Sequence, residues 1–460
     1  MPIPLPLKKV LVIGAGPVRI GQTGAFDIAA RRFCYVLREA GIASVMVHSD
    51  PSALATDVDA ADHTYLVPPT ASALEEVVIK EKPDALLPTV GGPIALRLAK
   101  GCVQSGLLKA NGVRLLGISE ATLAFVDDPS AFCDAVNAIG LALPEGQSTT
   151  SVADAAAIAE SIGYPVFIRT VDAGSAVRHG MAFNVEELRK ITANGRLSSD
   201  ITGNFRIEAA LSGYREVEVD MLRDADNRMR IVAMAGNMDP VGIHSGDSIA
   251  VLPPIGIAEK TGAEIEQAAC KLAERAGVTG ALHMKFAVAP DTDRLRVLSV
   301  DPRFSRMTGL CGKAFHIDLA AIHARLSLGE KMDDALASDR SRIDAAGKGE
   351  TVAVRLPRWE FERFPGEAPR LDARMKSTGE TLGIGRTFHQ ALQKAIRSRS
   401  PHDTLLGMKP ELTPLSADAL MRRLVSPSPD RLHVLHEALK KGADPEALAG
   451  VTGISTAWLR

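Results

Sequence analysis

Aromatic side chains are scarce in this chain: 4% of 460 residues, with 2 Trp and 4 Tyr. Readers of single-stranded nucleic acid stack successive bases on such rings, so the composition argues against that class. Neither sign of charge dominates, since 53 Lys and Arg stand against 55 Asp and Glu. That balance removes the electrostatic case for a nucleic-acid or membrane-surface partner. The 5 cysteines (Cys34, Cys102, Cys133, Cys270, Cys311) are widely spaced and form no CxxC, so zinc or disulfide use is not expected and a reducing compartment fits. No uninterrupted apolar stretch is long enough to span a bilayer, and the start, Met1 to Lys9, runs into a strand without an apolar helical core. The expectation is a soluble cytoplasmic protein, long enough for two or three domains with sizeable cores.

What is present begins with short apolar strands between ten-residue helices. Val10 to Ile13, Ser44 to Val47, Thr64 to Val67, Ala85 to Leu87 and Arg114 to Leu116 read as strands; Ile28 to Ala40, Ala73 to Lys82 and Ala95 to Gln104 read as helices. Such alternation implies parallel βαβ units with helices on both faces, closing near residue 120. The middle of the chain changes character. Helices at 131–139, 152–162, 185–193 and 259–276 flank a strand at Val166 to Arg169 and longer period-2 segments. The latter are Glu216 to Leu222 and Met229 to Met234, the signature of half-exposed antiparallel strands, and Ala281 to Val288 and Leu295 to Val300 follow beyond the last helix. A strand at Val352 to Leu356 and a Gly-punctuated loop, Ser377 to Gly385, complete this α+β region. A Pro-, Ser- and Gly-containing linker precedes a small helical unit.

Several patterns invite sharper readings that the residues do not sustain. Gly14-Ala15-Gly16-Pro17-Val18-Arg19-Ile20-Gly21 lacks the GxGxxG spacing of a dinucleotide fingerprint and reads as a tight strand–helix turn. His433 and His436, at i, i+3, read as a solvated helix face in the absence of a third ligand. His316 and His323, at i, i+7 on one expected helix, are treated alike.

In this order along the chain, Val12-Ile13-Gly14-Ala15-Gly16-Pro17, Ile20-Gly21-Gln22, Phe26-Asp27, Pro88-Thr89-Val90-Gly91-Gly92, Gly242-Ile243-His244-Ser245-Gly246-Asp247-Ser248, Asp301-Pro302-Arg303-Phe304-Ser305-Arg306 and Met375 to Arg386 resemble one half of the carbamoyl-phosphate synthase large subunit. The match is better to its N-terminal, carboxyphosphate-forming half. The resemblance implies a Rossmann-like pre-ATP-grasp domain (1–120), an ATP-grasp domain (121–400), a linker (401–418) and a partial oligomerisation-like helical segment (419–460). In the family this half phosphorylates bicarbonate with Mg-ATP, ammonia from a glutaminase subunit then gives carbamate, and a homologous second half phosphorylates the carbamate.

Residue by residue, the resemblance implies that Arg169 grips phosphates, Leu211 walls the adenine pocket, Glu216 binds ribose, and Gly242, Ile243 and His244 meet the adenine edge. Arg303 and Arg306 resemble arginines that stabilise bicarbonate and carboxyphosphate oxyanions, a form of charge neutralisation on which phosphoryl transfer depends. Other positions depart from the family. Its first phosphate-binding arginine aligns with Pro129, a hinge glutamate with Ala209, and its Gly-rich lid with Ala173 to Arg178, where one glycine remains. The glutamine, glutamate and asparagine that hold its metal ions are Lys285, Ser299 and Asp301. Magnesium wants hard oxygen donors; an ammonium repels it by roughly 4 kcal/mol per unit charge at contact distance and an effective dielectric of 20. Lys285 is expected to pair with Asp301 where the metal would sit, or to stand in for the metal's charge beside a nucleotide. Two readings follow: a weakly active or inactive binding or regulatory homologue, or an active ATP-dependent ligase acting on bicarbonate or another carboxylate. A glutaminase-type subunit, a separate second half or a second copy of the chain are the partners implied.

Overall fold

The computed structural model describes residues 4–16, 23–127, 129–170, 179–196, 205–303, 305–346, 351–399 and 409–460. Pro17 to Gln22, Phe304 and the lid segment Ala173 to Arg178 lie outside them.

The first unit is a five-stranded parallel sheet of β1 (Lys9–Ile13), β2 (Ala43–His48), β3 (His63–Leu66), β4 (Ala85–Leu87) and β5 (Arg114–Leu115), in the order β3-β2-β1-β4-β5. Its central strands β2, β1 and β4 are buried on both faces because helices cover both, while the edge strands β3 and β5 are largely exposed. Val10 and Val12 pack with Phe33 and Leu37 of helix Thr23–Glu39, whereas Leu11 and Ile13 pack with Leu74, Val78 and Leu96 from helices Ala71–Glu81 and Gly92–Gln104.

A four-stranded antiparallel sheet follows, made of β6 (Gly146–Thr149), β7 (Val166–Thr170), β8 (His179–Ala182) and β9 (Phe205–Ala209), in the order β6-β9-β7-β8. Val166, Ile168 and Ile207 face helices Val152–Ile162 and Val185–Arg196. Period 2 then turns Arg169, Arg206 and Glu208 to the opposite side. Of these four strands the sequence announces only β7.

The largest layer has seven strands. These are β10 (Arg215–Arg223), β11 (Met229–Pro240), β12 (Ala250–Leu252), β13 (Gly280–Val288), β14 (Leu295–Asp301), β15 (Val352–Arg358) and β16 (Gly379–Gly385), in the order β14-β13-β10-β11-β12-β15-β16. The expected loop from Ser377 to Gly385 is therefore corrected: seven of its residues form β16, paired antiparallel with β15 from Val352↔Gly385 to Arg358↔Gly379. Glycine is a poor strand former, but here the close approach of a helix requires it, since a Cβ on Gly383 would sit 1.9 Å from the Ala391 carbonyl oxygen in helix Phe388–Arg399.

The end of the chain packs on this sheet. Leu420, Leu424, Val434, Leu435 and Leu448 share a core with Met238, Val251, Val354 and Leu392. His433, expected on a solvated face, is buried, because that face of helix Arg431–Lys440 covers the sheet. His316 and His323 do not share a helix: His316 caps helix Arg306–Phe315 and His323 lies in helix Leu319–Ser327.

Candidate functional site

Period 2 builds the site. On β10, Val217, Val219 and Met221 join Leu282, Met284 and Phe286 of β13 beneath helix Glu259–Ala276. The opposite face must then carry Glu216, Glu218 and Asp220 of β10 with His283 and Lys285 of β13. Register aligns them, Glu218 with Lys285 and Asp220 with His283 on one side of β13, Lys285 with Ser299 and His283 with Asp301 on the other. The strands thus juxtapose Lys285, Ser299 and Asp301 as the sequence implied.

The pairing expected between Lys285 and Asp301 is not what forms. The Lys285 ammonium lies 3.4 Å from Glu216 Oε1 and donates a hydrogen bond to Ser245 Oγ. Asp301, at the end of β14, instead accepts from Arg303 Nη2 at 2.9 Å, two residues further on. Burial alone would raise the Asp301 carboxyl, but Arg303, His283 and Lys285 outweigh it and hold it below the usual carboxylate range.

Around this pair buried polar groups bond to one another, although Asn237 Oδ1 and Arg355 Nε have no hydrogen-bond partner among the described residues. Asn237 Nδ2 on β11 donates to Glu216 at 3.1 Å and to Glu218 at 2.9 Å. Burial raises the Glu216 carboxyl despite Lys285. Glu218 is held well below its ordinary value, burial being outweighed by Lys285, Arg355 and His283. His283 bridges Asp220 (2.8 Å) and Glu218 (3.2 Å). Burial by itself would lower its imidazole, but these two carboxylates raise it to about 9. Ser305 Oγ and Thr308 Oγ1, at the head of helix Arg306–Phe315, each donate to Asp220 at 3.1 Å.

Arg306 lies at the start of that helix, its guanidinium pressed on Gly246, where a Cβ would fall 1.8 Å from the nearest guanidinium nitrogen. Burial, then neighbouring Arg355, lowers it to about 10. Arg355 is wholly buried; it donates to Ser245 O at 2.8 Å and lies 3.5 Å from Glu218. Arg303 sits over the Phe26 ring of helix Thr23–Glu39 at 5.6 Å, joining the centre to the first unit.

The remaining candidates stand on other elements. Leu211 forms a small apolar cluster with Ala287, Leu298, Tyr214 and Val241. Gly242 abuts Met181 of β8, Ile243 follows it, and His244 donates its N–H to Asp372 O at 2.8 Å while its Nδ1 accepts from Gly246 N–H at 3.0 Å. Arg169 donates to Glu208 at 2.9 Å, Glu208 also accepting from Arg206 at 2.8 Å. Pro129 opens helix Pro129–Ala138. Sequence reading misses His283, Glu218, Asp220, Asn237 and Arg355. The alternations Glu216-x-Glu218-x-Asp220 and His283-x-Lys285 carry the signal for the first three of these. Asn237 and Arg355, on largely apolar strands with further charged residues near their ends, carry none.

Comparison with known proteins agrees with this architecture. Three family models match in succession: carbamoyl phosphate synthase preATP-grasp domain at residues 6–125, carbamoyl-phosphate synthase L chain, ATP binding domain at 128–335, and carbamoyl-phosphate synthetase large chain, oligomerisation domain at 380–460. The carbamoyl phosphate synthase large chain of Thermotoga neapolitana is 36% identical over 463 residues, covering 99% of this chain and 41% of that one. Its counterpart in Methanobrevibacter smithii is 34% identical over 462 residues, covering 100% and 42%. This chain thus spans about two fifths of the length of these relatives. Among solved structures, biotin carboxylase of Campylobacter jejuni superposes with a TM-score of 0.63 at 15% identity, covering 96% of this chain and 99% of that one. The biotin carboxylase domain of Hydrogenobacter thermophilus 2-oxoglutarate carboxylase gives 0.63 at 16%, covering 87% and 90%. At such identities these two share the fold alone. With a pre-ATP-grasp unit, an ATP-grasp unit and the match at its helical end, the chain belongs to the carbamoyl-phosphate synthase large-chain family, as a relative of one half of that chain.

Proposed function

We propose that this chain is a half-length, ATP-grasp homologue of the carbamoyl-phosphate synthase large chain whose metal positions have become an internal ion-pair network. It acts as a weakly active or inactive binding or regulatory protein, alongside a glutaminase-type subunit, a separate second half or further copies of itself. The observation that carries this reading is the Lys285 ammonium held between Glu216 and Ser245. Magnesium requires near-octahedral oxygen coordination, and the three positions offer one carboxylate already engaged by Arg303, one hydroxyl and one cation. The donor set does not fit the ion, and the ammonium by itself repels a divalent charge by about 8 kcal/mol at about 4 Å and an effective dielectric of 20, a repulsion that its partner Glu216 offsets in part. An adenine nucleotide is a separate matter. The apolar cluster around Leu211 supplies a wall for a base, and Arg169 and Lys285 supply cations for phosphates, weakened by their own carboxylate partners.

A second reading, an active ligase phosphorylating bicarbonate or another carboxylate, draws on Arg303 and Arg306. Both guanidiniums stand in the same centre, suited to stabilise the oxyanions of such a transfer. Calorimetric titration of ATP with and without millimolar magnesium separates the two. The proposal expects weak binding indifferent to magnesium, little or no bicarbonate-dependent ATP hydrolysis, and a gain of magnesium dependence in Lys285→Gln/Ser299→Glu. Tighter binding with magnesium in the natural chain, with bicarbonate-stimulated turnover, would establish the ligase instead.

A further inference from the structure

Away from this centre a groove of about 470 Å³ opens between the end of helix Arg306–Phe315, the middle of β16 and the last turns of helix Phe388–Arg399. Leu382, Gly383 and Ile384 form its floor, and both larger side chains are only partly covered by the main core. Lys313, Lys394 and Arg397 form its rim, with Ser398 beside them. All three cations are exposed, no carboxylate lines the groove among the described residues, and none of the three has an ion-pair partner there. One lysine is already steered, since Lys394 Nζ donates to Ile384 O at 2.6 Å. Cations in a last helical turn complement the helix dipole, which accounts for Lys313 and Arg397 singly. It does not account for their convergence with Lys394, from two helices, around an apolar floor.

We propose that this groove binds an organic phosphate monoester, its phosphate among Lys313, Lys394 and Arg397 and its apolar body on Leu382 and Ile384. The size suits a small molecule, and a phosphate monoester near neutral pH carries most of two negative charges for several cations to share. Helix Arg306–Phe315 begins at Arg306 in the candidate centre and reaches the groove at Lys313, so an occupant bears on the helix that carries Arg306. The proposal stands independently of the function assigned above.

The test is titration of 1-naphthyl phosphate, followed by its fluorescence, into the full chain, the double variant Lys313→Ala/Arg397→Ala, and Lys285→Gln. Saturable binding is expected in the natural chain, weakening with added salt, at least roughly tenfold weaker in the double variant and unchanged in Lys285→Gln. 1-Naphthol, which lacks the phosphate, is expected not to saturate the groove. Circular dichroism of the double variant, whose two altered side chains are exposed, establishes that it is folded. Absence of saturable binding, equal affinity in the double variant, or loss in Lys285→Gln instead would each overturn the assignment, the last by placing the phosphate in the nucleotide cleft.

Discussion

His323 is wholly buried where the first parallel sheet meets the seven-stranded one. Its Nδ1 accepts the Ala281 N–H at 2.8 Å, which leaves the proton on Nε2, 3.0 Å from Thr89 Oγ1. Burial lowers its pKa to about 3. A depressed folded pKa means that its stabilising contribution is complete above the unfolded value of about 6.5 and is lost as pH falls toward 3. The loss is about 1.4 kcal/mol per pH unit over that window. Chemical denaturation is expected to show stability falling between about pH 7 and 4 more steeply in the natural chain than in His323→Gln, by about this amount; equal slopes would refute the assignment. Residue identity alone does not reveal this role: in sequence His323 reads as one member of an i, i+7 pair on a helix. Nor does it reveal that Asp301 takes Arg303 as its partner while Lys285 takes Glu216, a choice that hangs on register and strand ends.

At the scale of elements, the helical end of the chain is tied down by one buried pair. Arg431, opening helix Arg431–Lys440, forks onto Asp239 of β11, with Nε to Oδ1 at 2.6 Å and Nη2 to Oδ2, and also donates to Asp247 O at 3.0 Å. Asp247 in turn accepts the Lys376 and Ser377 amides at 2.8 and 2.7 Å. Removing one partner of such a pair leaves an uncompensated buried charge. Arg431→Ala is expected to cost roughly 3–5 kcal/mol and to make the helices beyond residue 409 susceptible to proteolysis, whereas Asp239→Asn/Arg431→Met should lose less. A single variant with natural stability would show that apolar packing alone seats the tail. Elements are the most legible level in sequence. Helix Glu259–Ala276 and strand Ala85–Leu87 have the bounds their pattern predicts, because their periodicity is strong and their ends are marked. The glycine-rich strand β16 and the short strands β6, β8 and β9 are not legible, because their stability comes from neighbours rather than from apolar alternation.

Across the whole molecule, one core cluster runs from Val10 and Phe33 of the first unit through Leu222 and Val232 of the seven-stranded sheet to Leu310 and Leu326. The four-stranded lobe has its own core of Ala155, Ala159, Val166, Ile168, Ala182, Leu188 and Ile207. Local opening follows buried apolar contact, so hydrogen exchange is expected to reach β7 and β9 before β1 and β10. Exchange as slow in the lobe as in the two larger sheets would contradict this division. By itself the sequence determined the family, the order of units, and which face of β10 and β13 carries Glu216 and Lys285, because motif order and period 2 are properties of the chain. Tertiary structure alone decided that Lys285 is neutralised by Glu216, that His283 is held between two carboxylates and that His433 is buried. Ion-pair partners and desolvation depend on which strands lie side by side, and distance along the chain carries no record of that.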